Sequence, residues 1–551
     1  MLRSFRMVLL AALVFSAGCA THTPESAATH PVQQLAFRPN ILWLVAEDLS
    51  PIIPPFGDST VVTPTLSRLA AEGVRYTHVF SPSGVCAPSR AAIATGMYQN
   101  HIGAMHMRTG GDPRWFPPGL IPYEAVPPAE VKMHSQYLRE AGYYTTNNAK
   151  EDYQFKAPVT AWDESSNRAH WRDRKPGQPF FAIFNFGVTH ESQVWARQRD
   201  SLWVDADLDV PVPPYLPSTE AGLRDIRQVY SNIKTMDFQV GEVLKQLEAD
   251  GLLDSTIVVW YADHGGPLPR QKRLLYDSGM RLPLIIRYPN QWRAGEVDDR
   301  LISFIDFKPT LLSMAGIEPP SYEDGQAFEG PYATEPPRTY VHGAADRFDE
   351  QYDMIRAVRD HRFKYLRNFQ PEKPYYLPVA YREQMGIMKE LLRMRDAGEL
   401  NEYQAQWFRT TKDPEELFDT ETDPFELHNL AGDPAYADKL AELRAECDRW
   451  MSEIHDLGLV PEIDFVESIW PGGVQPETAA PAGQWAGTQL TLRSATEGAN
   501  IGYQLLAADE APGKRWDVYV KPIVVPEGHH VVALAHRIGY KPSEQVEIAG
   551  D

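Results

Sequence analysis

The stretch PNILWLVAEDLS (residues 39–50) is an apolar run, Asn40 to Ala46, that breaks off at two acids, Glu47 and Asp48. A short unbroken apolar run, without strict alternation, is the pattern of a strand buried on both faces, as in a parallel sheet. Three more runs share it: PFFAIFNFG (179–187), TIVVWYA (256–262) and LPLIIRYP (282–289). Patterns with helical spacing lie between them, among them TPTLSRLAAEG, KMHSQYLREAG and IKTMDFQVGEVLKQLEADG, the last closed by a glycine after its final turn. Such alternation predicts an α/β fold, an open sheet with all four of these strands parallel and helices on both faces. Ligands of such sheets bind beyond the carboxyl ends of the strands. Three of the runs are followed by Glu47-Asp48, His190-Glu191 and Asp263-His264. One shared site is the economical reading of three polar clusters at strand exits.

The 551 residues suffice for three or four domains, fewer if the α/β domain is large. Hydrophobic residues at 43% and charged residues at 23% describe an ordinary soluble composition. Acidic residues outnumber basic ones by 74 to 53, a formal charge of −21 with no basic run to offset it, so no nucleic-acid partner is expected. The first residues, MLRSFRMVLLAALVFSAGCATHTPES, carry an apolar run too short to span a bilayer, which reads as an export signal over 1–18. FSAGC resembles a bacterial lipobox, in which Cys19 is acylated; ordinary cleavage nearby is the alternative. Residues 19–37 then form a flexible tether. The expected location is the periplasm or the outer membrane and cell surface, with membrane contact only through that anchor.

Further boundaries follow from composition. A large α/β domain is expected over 38–339 and a smaller α+β region over 340–465. The latter includes a strand pair in MIRAVRDHRFKYLRNF, helical REQMGIMKELLRMRDAGELNEYQAQWF and a helix over 434–454. A linker over 466–487 holds WPGGVQPETAAPAGQ. In the tail, 488–551, TQLTLRSATEGANIGYQLL and WDVYVKPIVVP alternate as strands do, which predicts a small β module.

Besides Cys19 the chain has only Cys86 and Cys447. In CAPSRAAIATG (86–96), Pro88 suits a first helical turn, the alanines propagate the helix and Gly96 can end it. Cys86 thus sits beside a helix N-terminus, where free N–H groups favour an anion. It can be a small buried apolar residue, a thiolate nucleophile, or half of a disulfide with Cys447.

CAPSR followed by Thr95-Gly96 resembles the signature of the type I sulfatases, in which a maturation enzyme oxidises the cysteine to formylglycine. PNILWLVAEDLS and YADHGG resemble the family's two metal-binding strands, and the likeness runs from Arg38 to about Glu462. It implies an alkaline-phosphatase-like mixed sheet sandwiched by helices. DMIRAVRDHRFKYLRNF and EELFDTETDPFELHNLAGDP are most similar to the heparan N-sulfatases, and LRSATEGANIGYQL to β modules of bacterial glycan-active enzymes. The resemblance implies calcium held by Glu47, Asp48, Asp263, His264 and formylglycine from Cys86; carboxylate oxygens suit that ion. Glu47 replaces the family's usual aspartate and His264 its asparagine, so His264 is also a candidate sulfate contact. Arg90, Lys150, His190 and Lys272 match the basic residues around the sulfate, a local positive field in an acidic protein.

The implied mechanism is covalent. Calcium and Arg90 help ionise a hydroxyl of hydrated formylglycine, Lys150 and Lys272 neutralise sulfuryl oxygens, and His190 protonates the leaving group. Asp152 stands where many sulfatases have a histidine, leaving His78, His101, His106 and His134 as candidates for that role. Arg347, Arg356, His361 and Arg367 are expected to line the cleft beyond the sulfate. The implied partner is a sulfated polysaccharide or oligosaccharide. A heparan-type N-sulfate and an O-sulfated algal polysaccharide such as ulvan are the two substrates in view. A phosphatase of the same superfold and an inactive sulfated-glycan-binding lipoprotein remain as rivals.

Overall fold

The computed structural model describes residues 38–110 and 116–548. The export signal, the tether and the Cys19 anchor lie outside these residues. The central sheet has eight strands: β1 (Asn40–Ala46), β2 (Val74–Phe80), β3 (Tyr144–Asn148), β4 (Glu164–Ser165), β5 (Phe180–Phe186), β6 (Thr256–Ala262), β7 (Arg281–Arg287) and β8 (Val297–Ser303). Their order is β4-β3-β5-β1-β6-β7-β2-β8. The three apolar runs read first, β1, β5 and β6, are adjacent and parallel, and β6 is wholly buried, as an unbroken apolar run requires. Ala46 pairs with both Phe186 and Ala262, so the three strands end level with one another.

The fourth predicted parallel strand is antiparallel. β7 runs against both β6 and β2. Between β6 and β7 there is one short helical turn, Asp277–Met280, and no crossover helix to carry the chain back across the sheet. The chain leaves β6, loops over the strand ends and returns beside it. The sheet is therefore mixed, as the family resemblance implied.

Helices Pro64–Glu72, Cys86–Thr95, His134–Glu140 and Glu220–Ala249 accompany the sheet. The last starts well before the apolar spacing that announced it. A second, antiparallel sheet has the order β12-β11-β10-β9, from β9 (Val341–Phe348), β10 (Gln351–Arg359), β11 (Phe363–Asn368) and β12 (Glu415–Asp419). The predicted helical stretch after it is two helices, Gly386–Ala397 and Glu402–Trp407, parted at Gly398, whose φ of 72° suits glycine. Helix Ala437–Glu453 buries Cys447; Cys447 and Cys86 are both free thiols, which removes the disulfide alternative.

The tail forms two small antiparallel sheets, β13-β14-β17 and β16-β15-β18-β19. Their strands are β13 (Ala482–Ala486), β14 (Gln489–Arg493), β15 (Asn500–Ala507), β16 (Asp517–Val518), β17 (Ile523–Val524), β18 (His529–His536) and β19 (Val546–Ile548). It is seated on the larger sheet's flank: Arg139 donates to the Trp516 carbonyl at 2.7 Å, and Arg515 reaches Asp163 at 2.6 Å. Among the described residues no helix is long and apolar enough to cross a membrane.

Candidate active site

The level ends of β5, β1 and β6 bring the three polar clusters together. Asp48 follows β1 with a φ of 46°, a left-handed turn that aims its backbone N–H at Asp263 Oδ1, 3.0 Å away. Its Oδ2 accepts from Lys272 Nζ at 2.6 Å and from the Glu191 N–H at 2.7 Å. Glu47 Oε2 accepts from Lys150 Nζ at 2.7 Å. His264 Nε2 lies 3.0 Å from Asp48 Oδ1, close but not aligned for a hydrogen bond, and both atoms are buried without one.

Cys86 opens the helix Cys86–Thr95 and is 3% exposed. Two neighbours in the motif fix that helix to β6. Ser89 donates to the Asp263 carbonyl at 2.6 Å, and Arg90 Nε donates to Asp263 Oδ2 at 3.0 Å. Gly84 lets the preceding loop approach, since a Cβ there would stand 2.6 Å from the Leu274 carbonyl. Gly96, with a φ of 72°, ends the helix as predicted.

Electrostatics follow from this packing. Burial opposes a charged Cys86, yet Lys272 and Lys150 outweigh it and bring the thiol down to about 6. Burial likewise disfavours ionised Asp48, but Lys272, His190 and His264 hold its carboxyl well below the usual range. Burial would lower His264; Asp263 and Asp48 instead push it up to about 10. Residue 86 is thus surrounded by cations whose charges are matched by carboxylates behind them.

The Cys86 sulfur, an Asp263 oxygen and a His264 nitrogen lie within 4.8 Å of one another, as do groups of Glu47, Asp48 and His190. Three carboxylates converging out of water, with Asp48 Oδ1 lacking a donor, fit a hard divalent cation. His190 Nδ1 is 2.8 Å from Ser192 Oγ, and its Nε2 is 3.3 Å from Lys272 Nζ. All nine predicted site residues therefore converge.

The other expectations fare differently. Arg347 and Arg356 are fully buried: Arg347 pairs with Glu462 at 2.7 Å, and Arg356 with Asp346 at 3.0 Å and with Asp456. They line no cleft. Arg367 reaches Asp448, and His361 stacks edge-on against His78. His101 pairs with Asp324, His106 accepts from the Arg347 N–H, and His134 packs among Trp43, Trp162 and Phe181. None of these contacts is with the convergent residues. His190 and His264 are the histidines that stand among them, His264 with a ring nitrogen within 4.8 Å of the Cys86 sulfur and His190 with Nε2 3.3 Å from Lys272 Nζ.

Several contributors were not singled out. Asn185 accepts from Arg90 Nη1 at 2.8 Å, and its signal was a polar residue inside the apolar run FFAIFNF. Glu191 stood in a recognised cluster but had no role; it bridges Lys272 at 3.1 Å and Arg273 at 2.8 Å.

With this geometry in place, comparison with known proteins is decisive. A family model described as Sulfatase matches residues 39–174 and 166–317, and one described as N-sulphoglucosamine sulphohydrolase, C-terminal, matches 270–379. The chain belongs to the sulfatase family, and is a sulfuric ester hydrolase. It is 52% identical to an ulvan-active sulfatase of Formosa agariphila, over 94% of this chain and 92% of that one. It is 26% identical to human N-sulphoglucosamine sulphohydrolase, over 76% of this chain and 90% of that protein. Among solved structures, a 2-O GAG sulfatase matches with a TM-score of 0.56 at 20% identity, covering 76% of this chain and 93% of that one. At that identity the match speaks to the fold, which is the alkaline-phosphatase-like sulfatase fold expected.

Proposed function

We propose that the chain removes O-sulfate from an algal polysaccharide of the ulvan type, using formylglycine made from Cys86 and a bound calcium ion. The observation that carries the chemistry is Cys86, buried at a helix start with its sulfur within 4.8 Å of Asp263 and His264, at strand ends where Lys150 is held on Glu47 and Lys272 on Asp48. For the substrate, 52% identity over nearly the whole chain to an ulvan-active sulfatase outweighs 26% to the N-sulphoglucosamine enzyme. This favours the algal O-sulfate over the heparan N-sulfate.

Formylglycine supplies, as its hydrate, a hydroxyl nucleophile for sulfur. Glu47, Asp48, Asp263 and His264 would hold calcium, which supplies positive charge beside that hydroxyl and the sulfate. Arg90, tied to Asp263 and Asn185, keeps the helix that carries residue 86 in register with the acids. Lys150 and Lys272 neutralise charge on the sulfuryl oxygens; each is pre-oriented by a carboxylate, so little reorganisation is needed when charge develops. His190, held by Ser192, hands a proton to the leaving oxygen. Export with acylation at Cys19 is part of the proposal, and wild type should fractionate with membranes where Cys19→Ser does not.

The test is sulfate release from ulvan-derived and N-sulfated glucosamine oligosaccharides, with peptide mass spectrometry of residue 86 and elemental analysis of the protein. Release from the ulvan fragments, an aldehyde at 86 and calcium in the protein are expected. Full activity with an unmodified Cys86 thiol, or release from the N-sulfated substrate alone, overturns it.

A further inference from the structure

The mouth of the site holds a cation that the sulfate chemistry does not use. Arg108, on the loop before residue 110, is 35% exposed at its side chain. Its Nε donates to Asp349, and its two terminal nitrogens have no hydrogen-bond partner among the described residues. Its guanidinium lies over the Tyr381 ring, 5.1 Å from the centroid. Tyr381 meets Trp195 edge-on at 5.0 Å and the His190 ring at 6.3 Å. Both aromatic rings are part-exposed. The line from the proposed proton donor outward is therefore His190, then an aromatic corner, then a guanidinium whose terminal nitrogens are unbonded among the described residues.

Shared carboxylates link Arg108 back to the lysine of the site. Arg108 and Arg273 share Asp349, the latter at 2.7 Å, while Arg273 and Lys272 share Glu191. This row has three cations (Arg108, Arg273, Lys272) and two carboxylates (Asp349, Glu191). Asp48, a further partner of Lys272, brings the carboxylates to three and balances the row, so Arg108 is singled out by geometry: its terminal nitrogens are unbonded among the described residues. Cys86 is among the groups whose charge Arg108 feels, which puts it within electrostatic range of the reacting centre.

We propose that Arg108 binds an oxyanion on the sugar next to the one being desulfated, with Tyr381 and Trp195 packing against the sugar's apolar face. The oxyanion is a uronate carboxylate or a second sulfate ester, since a planar two-pronged guanidinium matches both. This rests on the polysaccharide reading above and adds the residue that selects for a charged neighbour. It also replaces Arg347 and Arg356, whose forks are consumed inside the protein.

The test measures binding in calcium-loaded Cys86→Ala protein by titration calorimetry. Three sulfated disaccharides are compared: one with a neighbouring uronate, its carboxyl-reduced form, and a neutral-sugar form with a second sulfate. With Arg108 in place, removing the neighbouring anion should weaken binding about ten- to a hundredfold, the span of one hydrogen-bonded charge. Arg108→Ala should erase that preference, and Arg108→Lys should keep a smaller one. Whichever of the two anions restores tight binding is the one recognised. Equal affinity for charged and neutral forms with Arg108 present overturns the proposal, as does an undiminished preference in Arg108→Ala. Carboxyl reduction changes only the ligand, so the first outcome does not depend on how any Arg108 variant folds. Sulfate release by the unsubstituted enzyme separately measures the glycan reading.

Discussion

Two clusters of buried charge invite comparison. One surrounds Cys86: Asp48, Asp263 and Lys272, with His264, Arg90 and Glu191. The other sits behind the second sheet, where Arg347 meets Glu462 and Arg356 meets Asp346 and Asp456. Both are as far from water as side chains get. They differ in whether the charged side chains themselves are fully hydrogen-bonded. Around Arg347 and Arg356 the guanidinium nitrogens all donate, to carboxylates and to the carbonyls of Met107, Asp349, Ala345 and Ile355. Around Cys86, Asp48 Oδ1, His264 Nε2 and Arg90 Nη2 are buried with an opposite charge at 3.0 Å but without an aligned hydrogen bond. An unmet buried polar atom costs about 1–3 kcal/mol. A protein retains several in one place when something else is to bind there. The closed cluster holds the fold, and the open one is where the proposed chemistry would take place.

The sharpest break between them is functional. Cys86→Ala should lower turnover by about five or six orders of magnitude, as loss of a nucleophile does, with an unfolding midpoint close to wild type. Sulfate release alongside thermal unfolding checks this; residual activity near wild type would remove residue 86 from the mechanism. Arg356→Ala should do the reverse. It strands Asp346 and Asp456 and should cost about 3–5 kcal/mol of stability by urea unfolding, while kcat per folded molecule stays as it was. A fall in kcat without loss of stability would return Arg356 to the cleft.

Lys272 tests whether the open cluster is catalytic throughout. Lys272→Ala removes one pre-oriented donor, and kcat should fall by about two to three orders of magnitude, or ~3–4 kcal/mol. A change confined to KM would assign it to uniform substrate binding.

The same contrast explains what the sequence discloses. The open cluster was legible because its parts sit at strand exits, where an apolar run stops at charged residues, and because CAPSR is a local motif. Glu47, Asp48, Asp263 and His264 needed only the adjacency of β1 and β6. The direction of β7 was not legible, since a buried strand reads alike whichever way it runs. Nor were the fates of Arg347 and Arg356. A lone arginine in a strand carries no local sign of its partner, and Glu462 and Asp456 are about a hundred residues away. The prior that arginines are solvated pointed the wrong way. Arg108 was missed for a related cause: what marks its fork is the lack of a partner among the described residues, which no local sequence pattern encodes.

The smallest effect concerns acid. Burial alone would raise Glu462, but Arg347, with His106 and Tyr352, holds its carboxyl down to about 2. A carboxyl depressed on folding stabilises the protein fully above its unfolded value, about 4.3. That contribution is lost as pH falls toward 2, because the unfolded chain takes up the proton first. Between about pH 4 and 2 this one group should therefore remove about 1.4 kcal/mol of stability per pH unit. Glu462→Gln keeps an acceptor for Arg347 but cannot titrate, so its stability against urea should start lower and fall less steeply across that window, by about one proton. If the two slopes coincide, the Arg347–Glu462 pair is not closed in solution, and the distinction between the two clusters loses its structural half.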